Sequence, residues 1–498
     1  MKINMSDINY ISTRGNSNPL SFAGTVMEGM VSSGGLFVPE KIPRVDFSKL
    51  AGLSYKEIAI TVLTPFMGGF DGGEVAACVD EAYTSESFDI PEVVKTVPIG
   101  NNRYVLELWH GPTAAFKDVA LQIMPQFMRF SKVKCADKSR TLILVATSGD
   151  TGKAALEGFK NREGISIAVF YPHGGVSEIQ RLQMATTDGN NTYVFAARGN
   201  FDDCQNGVKA LFGDGGLRDK AAEHGVKFSS ANSINWGRLC PQIVYYVKSY
   251  LDLVSAKAIS YGDKIDFCVP TGNFGNILAG YYAKEMGLPI RKLICASNKN
   301  NVLTDFFKSG EYSIKGREFH KTMSPSMDIL ISSNLERFLF EMSERDAGKV
   351  NDWYGRLAKE GKFSVDKDIM ERMRHVIEAR WVDEDEALKT IGEIYHESRY
   401  VMDTHTAVAA AAVGGVNRDN DVPVIITSTA SPYKFAPDVL TGLGIKLGGD
   451  EFESIKVLSA SGAGSVHRAV DGLTEKKVLH DKVIDIKEMR STVEQLLC

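Results

Sequence analysis

The feature that most restricts the fold is a pattern that recurs through the middle of the chain. A short apolar run ends in a turn rich in Gly, Ser and Thr, and an amphipathic stretch follows. TLILVATSGDTGKAALEGF (141–159), SIAVFYPHGGVSEIQRLQM (166–184), IDFCVPTGNFGNILAGYYAKEMG (265–287) and VPVIITSTASPYKFAPDVLTG (422–442) all show it. Runs such as Leu142-Ile143-Leu144-Val145 have no polar face, so they suit strands covered on both sides. Strands alternating with helical segments imply crossover units and a parallel sheet, an α/β architecture.

The flanks read differently. Residues 1 to about 98 mix short helical and loop signals, as in SSGGLFVPEKIP. Residues from about 335 to 400 are charged and helical in period, as in IMERMRHVIEARWVDEDEALKTIGEIYHESRYV, a texture expected of solvated helix faces. With 498 residues the chain is long enough for two or three domains. A net charge of -5 with 24% charged residues offers no basic excess for nucleic acid and no Lys/Arg run for a membrane surface. Cys78, Cys135, Cys204, Cys240, Cys268, Cys295 and Cys498 form no Cys-x-x-Cys pair, and no metal site is expected. An odd cysteine count suits reduced thiols. The start, MKINMSDINYISTRG, lacks a signal-peptide core, and no apolar run reaches about 18 residues. A soluble cytoplasmic protein is expected.

Three turns are built for anions. Thr147-Ser148-Gly149-Asp150-Thr151-Gly152 places backbone N–H groups and hydroxyls where a helix starts, a combination that binds phosphate or carboxylate. Thr271-Gly272-Asn273-Phe274-Gly275-Asn276 also opens a helix, and its glycines admit close approach of a ligand. Ser229-Ser230-Ala231-Asn232-Ser233-Ile234-Asn235 has Arg238 nearby, a bidentate phosphate partner. Any one of these can be an ordinary tight turn; three in one chain weaken that explanation. Neither of the first two is a Walker loop, since Ala154 stands where Ser or Thr must follow Lys153, and no Gly-x-Gly-x-x-Gly fingerprint opens these helices. The fourth element is HGPTAAFKD, 110–118. A lone lysine at a helix start is ordinarily a surface residue, but Lys117 has apolar and aromatic neighbours. Drawn into such a pocket, a lysine becomes a usable amine nucleophile and base.

HGPTAAFKD resembles the cofactor-lysine motif of the threonine synthase family, within the tryptophan synthase β-like (fold type II) group of pyridoxal-phosphate enzymes. ISTRGNSNPLSFAGTV, SSGGLFVPE, ATSGDTGKAA, YPHGGVSEIQ, SSANSINWGR, VPTGNFGN and DTHTAVA follow in the family's order, so the resemblance covers nearly the whole chain and points to the longer microbial and fungal type. It implies two open twisted-sheet α/β domains with an N-terminal extension: 1–98 as the N-terminal region, 99–139 with 262–498 as a large cofactor-binding domain, and 140–261 as a small domain. It implies that Lys117 holds pyridoxal 5'-phosphate as a Schiff base. Gly272, Asn273, Phe274, Gly275 and Asn276 would cradle the cofactor phosphate, Asp150 would stand beside the 3-hydroxyl, and Thr429 would face the pyridine nitrogen. Ser148, Thr151, Asn232, Ser233 and Arg238 would contact the substrate, O-phospho-L-homoserine, which water converts to L-threonine and phosphate. Ser177 and Gln180 lie in a similar segment. Lys153 and Thr404 depart from the family pattern, which has a small residue and a proline there. A related lyase that yields a keto acid, and a non-catalytic phosphate-binding relative, are the alternatives. No nucleic-acid or membrane partner is implied.

Overall fold

The computed structural model describes residues 8–31, 33–416 and 419–497. Residues 1–7 and Cys498, which enter the leader and cysteine readings above, lie outside the described residues. The apolar runs become strands with almost no exposed face: Arg140–Ala146, Ile165–Pro172, Ile265–Pro270 and Val424–Ser428 are buried along nearly their whole length. They are divided between two sheets.

The first sheet has five parallel strands in the order Val483–Asp485, Thr192–Arg198, Ile165–Pro172, Arg140–Ala146, Val226–Ser229. The second has six, in the order Ile377–Trp381, Ile290–Ser297, Ile265–Pro270, Val424–Ser428, Arg103–Glu107, Lys95–Pro98. Only its last pair is antiparallel, closed by a turn with Asn101 and Asn102 at positive φ of 54° each, which Asn tolerates better than most residues. On this register we propose that the small unit comprises 140–261 together with the C-terminal strand Val483–Asp485, which crosses from the large unit to its edge. The strand Lys95–Pro98 likewise carries the end of the N-terminal region into the six-stranded sheet.

The 335–400 region is helical over Leu335–Met342, Ala347–Glu360, Lys367–Val376 and Glu384–Ser398. It also contributes the strand Ile377–Trp381, which sequence pattern does not reveal. That strand lies at a sheet edge and is mostly half-exposed, so its residues show neither an apolar run nor clean alternation. No helix among the described residues is long and apolar enough to cross a membrane.

Two helices that begin at predicted site residues pack against each other. Pro125 lies inside the helix Lys117–Lys134 and cannot donate to the carbonyl of Leu121, four residues back. The helix Asp150–Phe159 approaches closely there: a Cβ on Gly158 would stand 2.1 Å from the Leu121 carbonyl oxygen. This contact sets the spacing between the helix that begins at Lys117 and the helix that begins at Asp150. Gly158→Ala is therefore expected to force the two helices apart and lower stability by about 1–3 kcal/mol, the usual cost of overpacking, read as a fall in the thermal unfolding midpoint. An unchanged midpoint would mean that the approach is not tight.

Candidate active site

In open α/β sheets, ligands bind beyond the carboxyl ends of the strands. Each predicted segment follows such an end. Thr147–Asp150 follows Arg140–Ala146, Asn232–Arg238 follows Val226–Ser229, Thr271–Asn276 follows Ile265–Pro270, Thr429 follows Val424–Ser428, and the loop to Lys117 follows Arg103–Glu107.

Lys117 is the first residue of its helix and is buried. Its place is set by the backbone: Phe116 N–H donates to the Thr429 carbonyl at 2.9 Å and Ser431 N–H donates to the Ala114 carbonyl at 3.1 Å. Nζ lies 3.4 Å from Asp150 Oδ2, 3.2 Å from Ser326 Oγ and 4.7 Å from the centre of the Phe116 ring. Burial pushes the Lys117 ammonium down from its ordinary value, and the charges of Lys434 and Arg238 push it further, against the pull of Asp150. This is the environment of an amine that can lose its proton.

Asp150 is the hub. It accepts from Lys434 Nζ at 2.5 Å, Gln180 Nε2 at 3.0 Å and Ser326 Oγ at 3.1 Å, as well as from Lys117. Burial alone would raise its pKa, but Lys434 and Lys117 hold it well below the usual carboxylate range. Gln180 is doubly used, since Ser177 and Gln180 also form the capping box of the helix Glu178–Ala185. Lys153 turns to other partners, bonding Glu157 and Thr187 at 2.5 and 2.8 Å. Thr404 donates to the Met323 carbonyl at 2.7 Å. That bond helps hold the segment 322–334, which covers the site and which no sequence motif singled out.

The covering segment is pinned from several sides. His405 Nε2 accepts the Ser326 backbone N–H at 3.2 Å, while Nδ1 faces Asp403 Oδ2 at 2.7 Å. A Cβ on Gly272 would meet the Ser326 carbonyl at 2.8 Å, so the phosphate-type turn and the cover touch backbone to backbone. Asn334 Nδ2 donates to both Ser233 Oγ and the Asn273 carbonyl at 3.2 Å each, tying the second and third anion turns together. Arg337 then bonds Asn334 Oδ1 at 2.6 Å and the Phe37 carbonyl at 2.9 Å. Glu336 takes Thr13 and Arg14 of the ISTRG segment, at 2.6 Å and at 3.0 and 2.9 Å. The N-terminal region thus braces the site through residues 334–337.

Several polar groups are left waiting. Phe274 adopts φ of +63° before the helix Gly275–Met286, whose N-terminus has no side-chain cap, leaving N–H groups for an anion. Asn276 Oδ1 accepts from Tyr245 and Tyr246, at 2.7 Å each, yet its buried Nδ2 has no partner. Arg238 is buried and bonds the Ala231 carbonyl at 2.6 Å, but its Nε is unpartnered and it makes no ion pair among the described residues. Burial lowers its pKa to about 10. Asn232 Oδ1 is also buried without a partner among the described residues. The hydroxyls of Ser148, Thr151 and Thr429 make no hydrogen bond among the described residues. Of the groups not foreseen, Ser326, His405 and Lys434 stand out. His405 and Lys434 sit inside DTHTAVA and STASPYKF, so proximity to those motifs was the available signal.

The fold and the site are those of the pyridoxal-phosphate-dependent enzyme family. The family model described as "Pyridoxal-phosphate dependent enzyme" matches residues 98–428, more than half of the chain, and "Threonine synthase N terminus" matches residues 9–83. The threonine synthase of Pseudomonas aeruginosa is 39% identical over 440 residues, covering 88% of this chain and 90% of its own length. That of Saccharomyces cerevisiae is 38% identical, covering 87% and 89%. The chain belongs to the threonine synthase family. The solved structure of pyridoxal-phosphate-bound threonine synthase from Brucella melitensis superposes with a TM-score of 0.87 at 35% identity, over 98% of this chain and 99% of that one. Human "Threonine synthase-like 1" is 40% identical over 96% of this chain, and the chain spans 66% of that relative's length.

The cofactor is pyridoxal 5'-phosphate, and the residues present fit it. A buried lysine with a depressed ammonium, an uncapped helix N-terminus after a glycine turn and an orphaned Asn276 amide are the donor set that an aldehyde with a phosphate arm needs.

Proposed function

We propose that the chain is a threonine synthase, converting O-phospho-L-homoserine and water to L-threonine and phosphate. The observation that carries this reading is Arg238: a buried guanidinium with an unpartnered Nε and no ion pair among the described residues, which feels the charge of Asp118 and lies close enough to Lys117 for its own charge to be felt there. An unpaired buried charge is costly, and a phosphorylated substrate supplies the missing anion.

The residues divide as follows. Gly272, Asn273, Phe274, Gly275 and Asn276 would hold the cofactor phosphate at the bare helix start, Lys117 would anchor the cofactor, Asp150 would serve its ring hydroxyl, and Thr429 would serve its ring nitrogen. Bound there, the cofactor supplies an electron sink for charge developing on the substrate. Lys117 Nζ, when not anchoring the cofactor, would be the base that takes the protons from Cα and Cβ as phosphate leaves Cγ, and would give protons back at Cγ and, after water has added at Cβ, at Cα. Arg238 with Ser148, Thr151, Asn232 and Ser233 holds the phosphate on Cγ and stabilises it as it leaves. The segment 322–334 excludes bulk water, so that one water adds at Cβ.

The test is to incubate the cofactor-loaded protein with O-phospho-L-homoserine and quantify threonine, phosphate and keto acid. Threonine and phosphate in equal amounts support the reading. Keto acid in place of threonine assigns the chain to a deaminating lyase, and no product at all removes the catalytic reading.

Thr429 offers a further check. A hydroxyl can donate to an unprotonated ring nitrogen, whereas a carboxylate favours the protonated ring. Thr429→Asp is expected to shift the absorption of the bound cofactor and lower kcat at least about tenfold. Parental spectrum and turnover in this variant would place Thr429 away from the nitrogen.

A further inference from the structure

We propose that Lys434 is the permanent counter-ion of Asp150, a positioning residue that keeps that carboxylate ionised and aimed when Lys117 is engaged with the cofactor. The proposal rests on the reading that Lys117 anchors the cofactor.

Lys434 is unlike a surface lysine in every respect. Its side chain is wholly buried, it lies in the short helical turn Pro432–Phe435, and Ser431 caps that turn. Nζ bonds Asp150 Oδ1 at 2.5 Å and the Thr113 carbonyl at 3.2 Å. It thereby joins three segments that meet at the site: the STASPYKF turn, the start of the helix Asp150–Phe159 and the HGPT loop. Thr113 in turn binds both oxygens of Asp118, at 2.9 and 2.7 Å.

The two lysines divide Asp150 between them. Lys434 takes Oδ1, and Lys117, at the longer distance of 3.4 Å, faces Oδ2. Lys117 must spend part of the cycle bonded to the cofactor or as a neutral base, and in those states it cannot compensate the carboxylate. A fully buried carboxylate without a counter-charge takes up a proton or moves. Lys434, whose side chain is wholly buried and bonded on two sides, stays beside it throughout. Its charge also repels a proton on Lys117, so one ammonium fixes the carboxylate and helps to keep the other amine available. The other charged groups that face the cluster are Arg238, felt at Lys117, and Asp118 and His467, which feel Lys434. None of them changes in the variants below.

The experiment is a pH titration of the visible absorption of cofactor-loaded protein without substrate, together with the acid limb of the kcat–pH profile. Lys434→Met removes one positive charge from a desolvated cluster, so any proton remaining in it is held more tightly, whichever atom bears it. The absorption midpoint, and with it the acid limb, should rise by at least about one pH unit, a tenfold gain in proton affinity. Adding Asp150→Asn restores the charge of the cluster and should bring the midpoint back toward the parent's. If Lys434→Met fails to fold, recovery of folding in the double variant supports the counter-ion role, because no uncompensated carboxylate is left. A double variant that still fails to fold means that Lys434 serves packing alone and overturns the proposal. So does a folded Lys434→Met with midpoint and limb both unmoved. Failure of the parent to make threonine refutes the proposed reaction without affecting the substrate-free titration.

Discussion

Lys117→Ala is expected to fold, to bind pyridoxal phosphate without a covalent link, and to lose at least about three orders of magnitude in kcat. The folding follows from the charge arrangement: Asp150 keeps Lys434 at 2.5 Å as a counter-charge after Lys117 is gone. Cofactor retention follows from the turn at Gly272–Asn276, which does not depend on the lysine. The loss of turnover follows from two roles carried by one atom. Positioned proton transfer is worth about a hundred- to ten-thousand-fold by itself, and the anchoring amine is removed as well. No neighbour can replace it, since Lys434 is wholly buried and already bonded on two sides. Borohydride treatment of the loaded parent, followed by peptide mass spectrometry, should find the cofactor fixed to the peptide bearing Lys117. Fixation on another lysine, or an alanine variant within about tenfold of the parent, would move the catalytic amine elsewhere.

Arg238→Ala carries the second large effect, and it decides specificity. The chain offers two anion sites of different character. The 272–276 turn would bind through backbone N–H groups and the Asn276 amide, whose Nδ2 is buried without a partner among the described residues, suited to a cofactor phosphate that stays. The 232–238 segment brings a buried guanidinium with an open Nε, suited to a group that gains charge and departs. Truncating one partner of a buried charge pair costs about 2–5 kcal/mol, so kcat/KM on O-phospho-L-homoserine should fall about 30- to several-thousand-fold at 1.36 kcal/mol per decade. Cofactor content should barely change, and a homoserine ester without phosphate should be affected far less. If Arg238 is instead a strut, anchored through its bond to the Ala231 carbonyl at 2.6 Å, the variant loses stability and both substrates suffer alike.

Much of this site is legible in the amino-acid sequence. Asp150 and the 272–276 turn directly follow strands that announce themselves as apolar runs, and Lys117, Asp150, the 272–276 turn and Arg238 each lie in a motif of consecutive residues. The missing members share a different property. Ser326 reaches Lys117 across 209 positions, Lys434 reaches Asp150 across 284, and Glu336 reaches Arg14 across 322. No local pattern marks a lysine as buried against an aspartate so far away in the chain, and the segment 322–334 carries no motif that announces its place against Lys117.

The strand–turn–helix units follow from local sequence alone, because a strand covered on both faces must be apolar along its whole length and a helix that receives an anion must start at a glycine-rich turn. The lysine proposed to be reactive is marked instead by a motif nine residues long, through its resemblance to the family. Which charges share one desolvated space is settled only when the chain packs. The C-terminal strand Val483–Asp485 adding to the small sheet, the edge strand Ile377–Trp381 and the Lys434–Asp150–Lys117 cluster all arise from contacts between distant segments. Their energetics depend on burial, and burial is a property of the folded chain rather than of any stretch within it.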